Sequence, residues 1–277
     1  MAPTVWQQRI RRAEFLAKKH LYAAEMLGFY VHLARFQEKL YKAIADSRTG
    51  VPLAGVSLAD EWAGHPLDSG QGAGVMGLLL DSFPAFLALV AKNAPVPLAE
   101  VARELLRSDS DSWLDLLNDC STRVDPPADP KEFLMLAFLQ PYAEFVRSQA
   151  PLEPANSTSL FCPFCHRKPA LGVLRQQGDG GRRSLLCVFC LTEWEFRRVV
   201  CPGCAEEDHA KLPVYTAAEL PYIRVECCDT CKTYIKSIDL TKNGLADPLV
   251  DELASIPLNL WAQEHGYAKL HPNLLGM

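Results

Sequence analysis

Four short cysteine motifs decide how residues 162–231 fold: "CPFC" at 162–165, "CVFC" at 187–190, "CPGC" at 201–204 and "CCDTC" at 227–231. Nine of the chain's ten cysteines lie in this stretch, about a quarter of its 277 residues. Each motif supplies a Cys-x-x-Cys turn, and two such turns together provide the four thiolates of a tetrahedral metal site. The spacing therefore predicts two complete four-cysteine sites.

The spacing of the pairs indicates a duplicated unit. Successive pairs are separated by 21, 10 and 23 residues, a long-short-long pattern. Aligning "SLLCVFCLTEWEF" (184–196) with "VECCDTCKTYIKS" (225–237) places Cys187 on Cys228 and Thr192 on Thr233. Sequential pairing of the turns is favoured because it gives two self-contained ribbons, each closed across a hairpin. Interleaved, cross-brace pairing is the alternative.

The predicted metal ligands are all members of the four Cys-x-x-Cys pairs. They are Cys162, Cys165, Cys187, Cys190, Cys201, Cys204, Cys228 and Cys231. The extra thiol Cys227 is predicted to be a packing residue, since its use as a ligand in place of Cys228 would give an unusual spacing. Cys120, which stands apart, is predicted to be a small buried hydrophobe. Four thiolates leave a metal no open position, so we predict no catalytic site and no enzyme activity.

The first half of the chain is predicted to be helical. Apolar residues recur at spacings of three and four from 21 to 45, which places them on one buried helix face. They are Met26, Phe29, Tyr30, Leu33, Phe36, Leu40 and Ile44. Further helices fit 82–93, 98–107 and 111–119, and another begins at Pro130 behind an Asp129 N-cap. "GAGVMG" (72–77) matches a dinucleotide-binding motif, but no strand precedes it, which favours a loop leading into a helix.

Composition and charge set limits on the class of protein. The chain is 49% hydrophobic and 22% charged, as a globular protein of two domains would be. Its longest apolar run is far shorter than the roughly 20 residues that span a bilayer, and its start does not resemble a secretory signal. We therefore expect a cytoplasmic protein without membrane insertion, in which paired cysteines are metal ligands rather than disulfides. Residues 160–242 hold 12 Lys and Arg against 10 Asp and Glu, which argues against a nucleic-acid-binding face.

The predicted fold class is α+β. It comprises an all-α helical domain (1–150), a linker (151–160), two tandem rubredoxin-like or zinc-ribbon-like four-cysteine metal modules (161–199 and 200–242), and a C-terminal helix with a tail (243–277). In the last part, Asp247 is expected to cap the helix, Pro257 to interrupt it and Gly266 to end it. The closing "LHPNLLGM" is expected to be an exposed tail that contacts a partner, or else a tail held on the protein's own surface.

These features together resemble one protein family. The helical half, the linker, the four cysteine pairs in this rhythm, "CKTYIKSIDL" (231–240), "DPLVDELASIPLNLWAQEHGY" (247–267) and "HPNLLG" (271–276) are similar to the formate dehydrogenase accessory protein, the FdhE family. The resemblance covers nearly the whole chain. It implies a cytoplasmic maturation factor that contacts the formate dehydrogenase catalytic subunit before export.

The resemblance also implies a metal content. It implies two metal ions in rubredoxin-like sites of four cysteines each, with iron as the metal, although the ligand set accepts zinc equally. His166 and Ala205 stand where rubredoxins usually carry glycine, which bears on redox potential more than on binding. Two alternative functions stay open: a rubredoxin-like one-electron redox protein that acts on a client enzyme, and a zinc-ribbon nucleic-acid-binding protein.

Overall fold

Helices make up the described chain as far as Gln149, and the strands begin at Leu171. The computed structural model describes residues 4–47, 73–127, 129–150, 158–178, 180–273 and 275–276. The predicted α+β class is confirmed. The helices of the first half are α1 (Val5–Lys19), α2 (Ala24–Ser47), α3 (Ala73–Asn93), α4 (Val96–Leu105), α5 (Ser110–Thr122) and α6 (Pro130–Gln149). The predicted linker falls largely outside the described residues.

Local sequence signals set several of these helix ends. Asp129 caps α6, as predicted, and its side chain accepts a hydrogen bond from the Glu132 amide at 3.0 Å. The helix then continues through Pro141. The predicted helix at 21–45 begins as a 3₁₀ turn and becomes α2 at Ala24. The helix predicted at 82–93 instead starts at Ala73, so the glycine motif "GAGVMG" lies mostly inside α3, with Gly72 outside the described residues.

Aromatic side chains from two helices fill the centre of the helical half. Phe83 and Phe86 of α3 pack on Phe138 of α6, with ring centroids 4.9 and 5.2 Å apart. All three side chains are fully buried. In the described part of the chain, one helical segment, Val75–Asn93, is long enough and apolar enough to cross a membrane. The Phe83 and Phe86 side chains of this helix lie in the interior of the helical half.

The strands of the second half form one continuous sheet. They are β1 (Leu171–Gln177), β2 (Gly180–Leu186), β3 (Glu193–Glu195), β4 (Val214–Thr216), β5 (Ile223–Cys228), β6 (Thr233–Asp239) and β7 (Ala268–Lys269). Among the described residues the order is β3-β2-β1-β6-β5-β4, and β7 pairs with β6. The expectation of two self-contained ribbons is wrong in this respect, because β1 of the first ribbon pairs in parallel with β6 of the second.

The seam between the ribbons has a physical reason. A hairpin alone leaves a row of unpaired backbone groups on each edge and too little buried surface to be stable. Pairing β1 with β6, from Leu171 opposite Lys236 to Leu174 opposite Asp239, removes two such edges. Gly172 permits the close approach, since a Cβ there would collide with the Ser237 hydroxyl.

The C-terminal segment forms two short helices rather than one interrupted helix. They are α7 (Pro248–Ala254) and α8 (Ile256–Glu264), and the break falls at Ser255 because Pro257 occupies the first turn of α8. The Asp247 carboxylate accepts hydrogen bonds from two backbone amides of α7, as predicted for an N-cap. Gly266, with φ of +81°, follows the end of α8.

The described part of the closing tail is held on the protein itself, so of the two expectations the tail held on the protein's own surface is confirmed and the exposed tail is wrong. Leu270, His271, Asn273 and Leu275 are all buried. Asn273 donates a hydrogen bond to the Glu252 carboxylate at 2.7 Å. Carboxylate and amide groups in this position satisfy one another away from water, so the tail contributes to the interior.

A buried charge cluster lies where this tail, α7 and β6 meet. Lys236 is fully buried and its ammonium lies 2.9 Å from the Glu252 carboxylate. Lys269 contacts the same carboxylate, and the Lys236 ammonium also donates to the Ser255 hydroxyl at 2.9 Å. The Glu252 carboxylate therefore lies between two ammonium groups that are buried or nearly so.

Buried polar contacts join the helical half to the sheet. Gln140 of α6 donates to the Val188 carbonyl at 2.6 Å, inside the second cysteine turn. Arg167, which follows the first turn, donates to the Cys120 carbonyl of α5 at 2.6 Å. Each contact is buried, so separating the two halves would leave these groups without partners and carry a free-energy cost. The first two cysteine turns, 162–165 and 187–190, are thus held against the helices.

Candidate metal centres

The first four cysteines form one compact cluster of sulfur atoms. Cys165 Sγ lies 3.4 Å from Cys187 Sγ and 3.5 Å from Cys190 Sγ, and Cys162 Sγ lies 3.5 Å from Cys190 Sγ. All four sulfurs lie within 4.8 Å of one another. We call this cluster, Cys162, Cys165, Cys187 and Cys190, the first centre.

The remaining pairs form a second cluster, and the grouping is sequential. Cys201 Sγ and Cys231 Sγ are 3.7 Å apart, as are Cys204 Sγ and Cys228 Sγ. We call these four residues the second centre. Interleaved pairing is excluded, because each centre takes its sulfurs from consecutive turns.

The sulfur separations fit a four-coordinate metal. Ligands about 2.3 Å from a tetrahedral ion lie roughly 3.8 Å from one another, whereas a disulfide bond is about 2.05 Å long. The observed separations of 3.4–3.7 Å match the first geometry. All ten cysteines are free thiols in the structure. Both centres can therefore hold a metal ion with thiolate ligands.

All four turns share one backbone conformation. The residue after the second cysteine has φ between 54° and 62°, in the left-handed region. These residues are His166, Leu191, Ala205 and Lys232. The amide of His166 donates to the Cys162 carbonyl at 3.0 Å, and that of Ala205 to the Cys201 carbonyl at 3.0 Å. The position favours glycine, since a Cβ is strained there, yet none of the four residues is glycine.

This strain makes Ala205 a specific test of the turn. Ala205→Val is expected to lower the free energy of unfolding of the second ribbon by about 1 kcal/mol, because a β-branched residue is poorly accommodated at positive φ. Ala205 is exposed, so the change leaves packing unaltered. Chemical denaturation measures the effect, with Ala205→Gly as the matched control. A destabilised glycine variant beside an unchanged valine variant would contradict the assigned turn.

Two threonine hydroxyls lie on the sulfurs in equivalent positions. Thr192 Oγ1 is 3.1 Å from Cys190 Sγ, and Thr233 Oγ1 is 3.0 Å from Cys231 Sγ. A hydroxyl can donate a hydrogen bond to a thiolate, which stabilises the charged form that binds metal. The alignment of the two units matched these threonines, but no role was predicted for them from the sequence. Their identical position, two residues after the second cysteine of each turn, was the feature that could have indicated a contact with the sulfur.

The two cysteines outside the centres are buried thiols. Cys227 lies beside Cys228 on β5 but is not part of either sulfur cluster. Burial raises the pKa of Cys227 to about 12 and that of Cys120 to about 11, which keeps both thiols protonated. The predicted packing role suits both residues. His166 and His209, the histidines near the cysteine pairs, are exposed, and neither belongs to a sulfur cluster.

The centres differ in their exposure to solvent. All four cysteines of the first centre are buried, and the Arg167 guanidinium covers the Phe189 ring beside it at 4.1 Å. In the second centre, Cys204 is exposed and Cys231 is partly exposed. The first centre is enclosed between the sheet and the helical half, whereas the second lies at the surface.

This difference predicts unequal metal release. With a chromogenic chelator in excess, the second centre is expected to lose its metal at least about ten-fold faster than the first, because release from the first requires local opening of the packed interface. Stopped-flow absorbance would show two phases. In Cys204→Ser, only the slow phase is expected to remain. A single phase in the unaltered protein, or a fast phase retained in Cys204→Ser, would contradict the prediction.

Comparison with known proteins relates the segments that carry the two centres to one protein family. Residues 161–198 match a family model described as "FdhE, central domain", and residues 199–275 match one described as "FdhE, C-terminal domain". The structure is similar to "The crystal structure of the FdhE protein from Pseudomonas aeruginosa", with a TM-score of 0.68, 26% identity, and coverage of 99% of this chain and 97% of that chain. The chain is similar to FdhE proteins over nearly its whole length.

Two further FdhE proteins are similar to this chain over nearly its full length. A "Protein FdhE homolog" of Aquifex aeolicus is 27% identical over 277 residues, covering 96% of this chain and 94% of that protein. A "Protein FdhE homolog" of Proteus mirabilis is 29% identical over 282 residues, covering 98% and 88%. The resemblance inferred from the sequence is confirmed, and it includes the helical half as well as the two FdhE cysteine modules.

Proposed function

We propose that this protein is a non-enzymatic accessory factor in the maturation of formate dehydrogenase. It acts in the cytoplasm and binds the catalytic subunit before export. Similarity to FdhE proteins over nearly the full chain is the observation that carries the proposal. The two four-sulfur centres fit the role, because closed sites of this kind organise a binding surface rather than activate a substrate.

We further propose that both centres are occupied in the cell, by iron or by zinc. The donor set is suited to either metal, since both accept four thiolates in a tetrahedron. Metal analysis of protein purified without oxygen would distinguish them, because an iron–thiolate centre absorbs visible light and a zinc centre does not. A protein purified with no metal and with normal stability would overturn this part of the proposal.

The function itself is tested in the native organism. Deleting the gene is expected to abolish formate dehydrogenase activity, and restoring it is expected to recover that activity. Tagged protein drawn from an anaerobically grown lysate is expected to bring the catalytic subunit with it, as identified by mass spectrometry. Unchanged formate dehydrogenase activity after deletion would overturn the proposal.

The exposed second centre favours an additional redox role. Bound iron would supply one-electron chemistry, and electron exchange with a client enzyme requires a centre near the surface. Cys204 and Cys231 give the second centre that access, whereas the first centre is buried. The role predicts a reversible change in the visible spectrum on reduction. A colourless, zinc-filled protein that still restores formate dehydrogenase activity would rule it out.

A further inference from the structure

Strand β4 is the outermost strand of the second ribbon and has an open edge. Among the described residues it pairs only with β5. The Cys227 amide donates to the Pro213 carbonyl, and the Asp229 amide donates to the Lys211 carbonyl, which fixes the alternation of the antiparallel ladder. In that register the backbone groups of Val214 and Thr216 point away from β5. Each therefore presents a donor and an acceptor at the edge.

The side chains of β4 are exposed on both faces of the sheet. Val214 is 53% exposed and lies on the face that carries Glu226, while Tyr215 is 39% exposed and lies on the opposite face. Tyr215 packs on Trp261 of α8 with ring centroids 4.6 Å apart. Exposed apolar residues on a free edge are unusual, because proteins commonly place charges or proline there. The edge has the character of a recognition site.

A cavity lies beside this edge, on the Val214 face of the sheet. Its volume is about 170 Å³, and its lining includes the apolar side chains of Val199, Leu212 and Val214 next to Cys201 and Cys228 of the second centre. Val199 is 50% exposed, so the cavity is open to solvent at this residue. An apolar cavity of roughly 150 Å³ can hold a benzene ring. The cavity thus has room for one large apolar side chain.

The charged groups of the cavity favour an acidic neighbour. Arg183, Arg198 and Arg224 line it, against one carboxylate, that of Glu226. Arg183 is paired with Glu226 at 2.6 Å, and Arg224 with Asp239 at 2.7 Å. Arg198 is exposed and makes no ion pair with any described residue. Its guanidinium is available to a carboxylate, for which arginine has matching bidentate geometry.

The duplication shows that an edge of this kind accepts a strand. The sheet order β3-β2-β1 of the first ribbon repeats as β6-β5-β4 in the second, so β4 stands in the place of β1. The outer edge of β1 is not free, because β6 pairs with it in parallel. The edge of β4 is the equivalent one, left without a partner among the described residues.

We propose that the β4 edge binds an extended segment of the formate dehydrogenase catalytic subunit as an additional, parallel strand. A bulky apolar side chain of that segment enters the cavity, and an acidic side chain beside it pairs with Arg198. Backbone hydrogen bonds to Val214 and Thr216 supply affinity, and the cavity supplies specificity, as in other cases of strand addition. The identity of the partner rests on the proposed function.

A second copy of this chain fits the edge less well. In the duplicated unit β6, which pairs with β1, corresponds to β3, so the β3 of a second copy would pair with β4. Such a head-to-tail contact does not close on itself but extends into a filament. The β3 residue Glu193 is also already engaged by Arg175, at 2.8 Å. A segment from a different protein would instead add one strand to the sheet and would not propagate into a filament.

The test compares variants that differ at the edge backbone. Thr216→Pro removes an outward amide without removing a hydrogen bond to β5, whereas Thr216→Ala retains that amide and is the matched control. Val214→Lys places a charge on the edge and serves as a second variant that keeps every backbone donor. Metal content and thermal unfolding establish that each variant is folded. The probes are the purified catalytic subunit and overlapping peptides, each about 15 residues long, that cover its sequence.

The expected result is at least about ten-fold weaker binding of the subunit to Thr216→Pro and to Val214→Lys, with Thr216→Ala unchanged. One acidic, apolar peptide is expected to compete with the subunit. Equal binding to all variants would overturn the inference and leave the proposed function intact. Absence of binding to the unaltered chain would overturn both. Concentration-dependent self-association that Thr216→Pro abolishes, with subunit binding unchanged, would assign the edge to a second copy instead.

Discussion

Replacing Cys187 by serine is expected to reduce the metal content from two ions to one and to unfold the first ribbon. Cys187 is buried in the first centre, 3.4 Å from Cys165. The free energy of metal binding in small thiolate modules is about 10–16 kcal/mol and contributes directly to their folding. Since the adjoining turn holds the Gln140 side chain of α6, the helical half is destabilised as well. We expect the free energy of unfolding to fall by about 5 kcal/mol or more.

Elemental analysis and denaturant unfolding measure the two effects of Cys187→Ser. Cys227→Ser and Cys120→Ser are the matched controls, because both thiols are buried outside the centres, and both variants are expected to keep two metals. Cys228→Ser is expected to lose the metal of the second centre only. Metal loss from Cys227→Ser, with Cys228→Ser unaffected, would show that the adjacent cysteines are assigned in the wrong order.

Glu252→Gln is expected to lower the free energy of unfolding by about 3–5 kcal/mol, the usual result of removing one partner from a buried ion pair. Burial alone would raise the pKa of Glu252, but Lys236 and Lys269 bring it down to about 2. The variant leaves the fully buried Lys236 ammonium without its counter-charge. It also weakens the Asn273 contact, so the tail is expected to become sensitive to protease.

The pH dependence of stability follows from the same carboxylate. Because the pKa of Glu252 is depressed in the folded state, its contribution is present above the unfolded value of about 4.3 and is lost as the pH falls towards about 2. As the pH falls from about 4.3 towards about 2, the free energy of unfolding of Glu252→Gln should therefore decrease less than that of the unaltered chain. Glu207→Gln, which removes an ion pair about half exposed on both sides, is the matched control and should change stability by less than about 1 kcal/mol. If Glu252→Gln and Glu207→Gln changed the free energy of unfolding and its pH dependence to a similar extent, the assignment of Glu252 as the stabilising buried carboxylate would be contradicted.

The candidate centres could be predicted almost completely from sequence. A Cys-x-x-Cys turn is a local structure, so its spacing indicated that the two sulfurs of each turn approach one another. The near-repeat of the two units favoured sequential over interleaved pairing of the turns, and the structure has the sequential pairing. The alignment of Cys187 with Cys228 also identified Cys227 as the residue left over. That the eight cysteines bind metal stays a prediction until metal is measured.

Contacts between distant segments could not be predicted from sequence. The pairing of β1 with β6 depends on which edges meet, and no local pattern encodes this. Lys236 lies in "YIKS", where a lysine is expected to be exposed, and only Glu252 from the next segment makes its burial possible. The same holds for the tail, whose polar "HPN" gave no indication that Asn273 is buried.

The burial of the first centre has a consequence for metal exchange. Contacts from helices α5 and α6 hold the turns of this centre. A metal bound there would exchange with solution only when the interface between the helices and the sheet opens. A metal bound in the second centre, where Cys204 is exposed, would exchange without that opening, so the two centres would respond to a change in metal supply on different timescales.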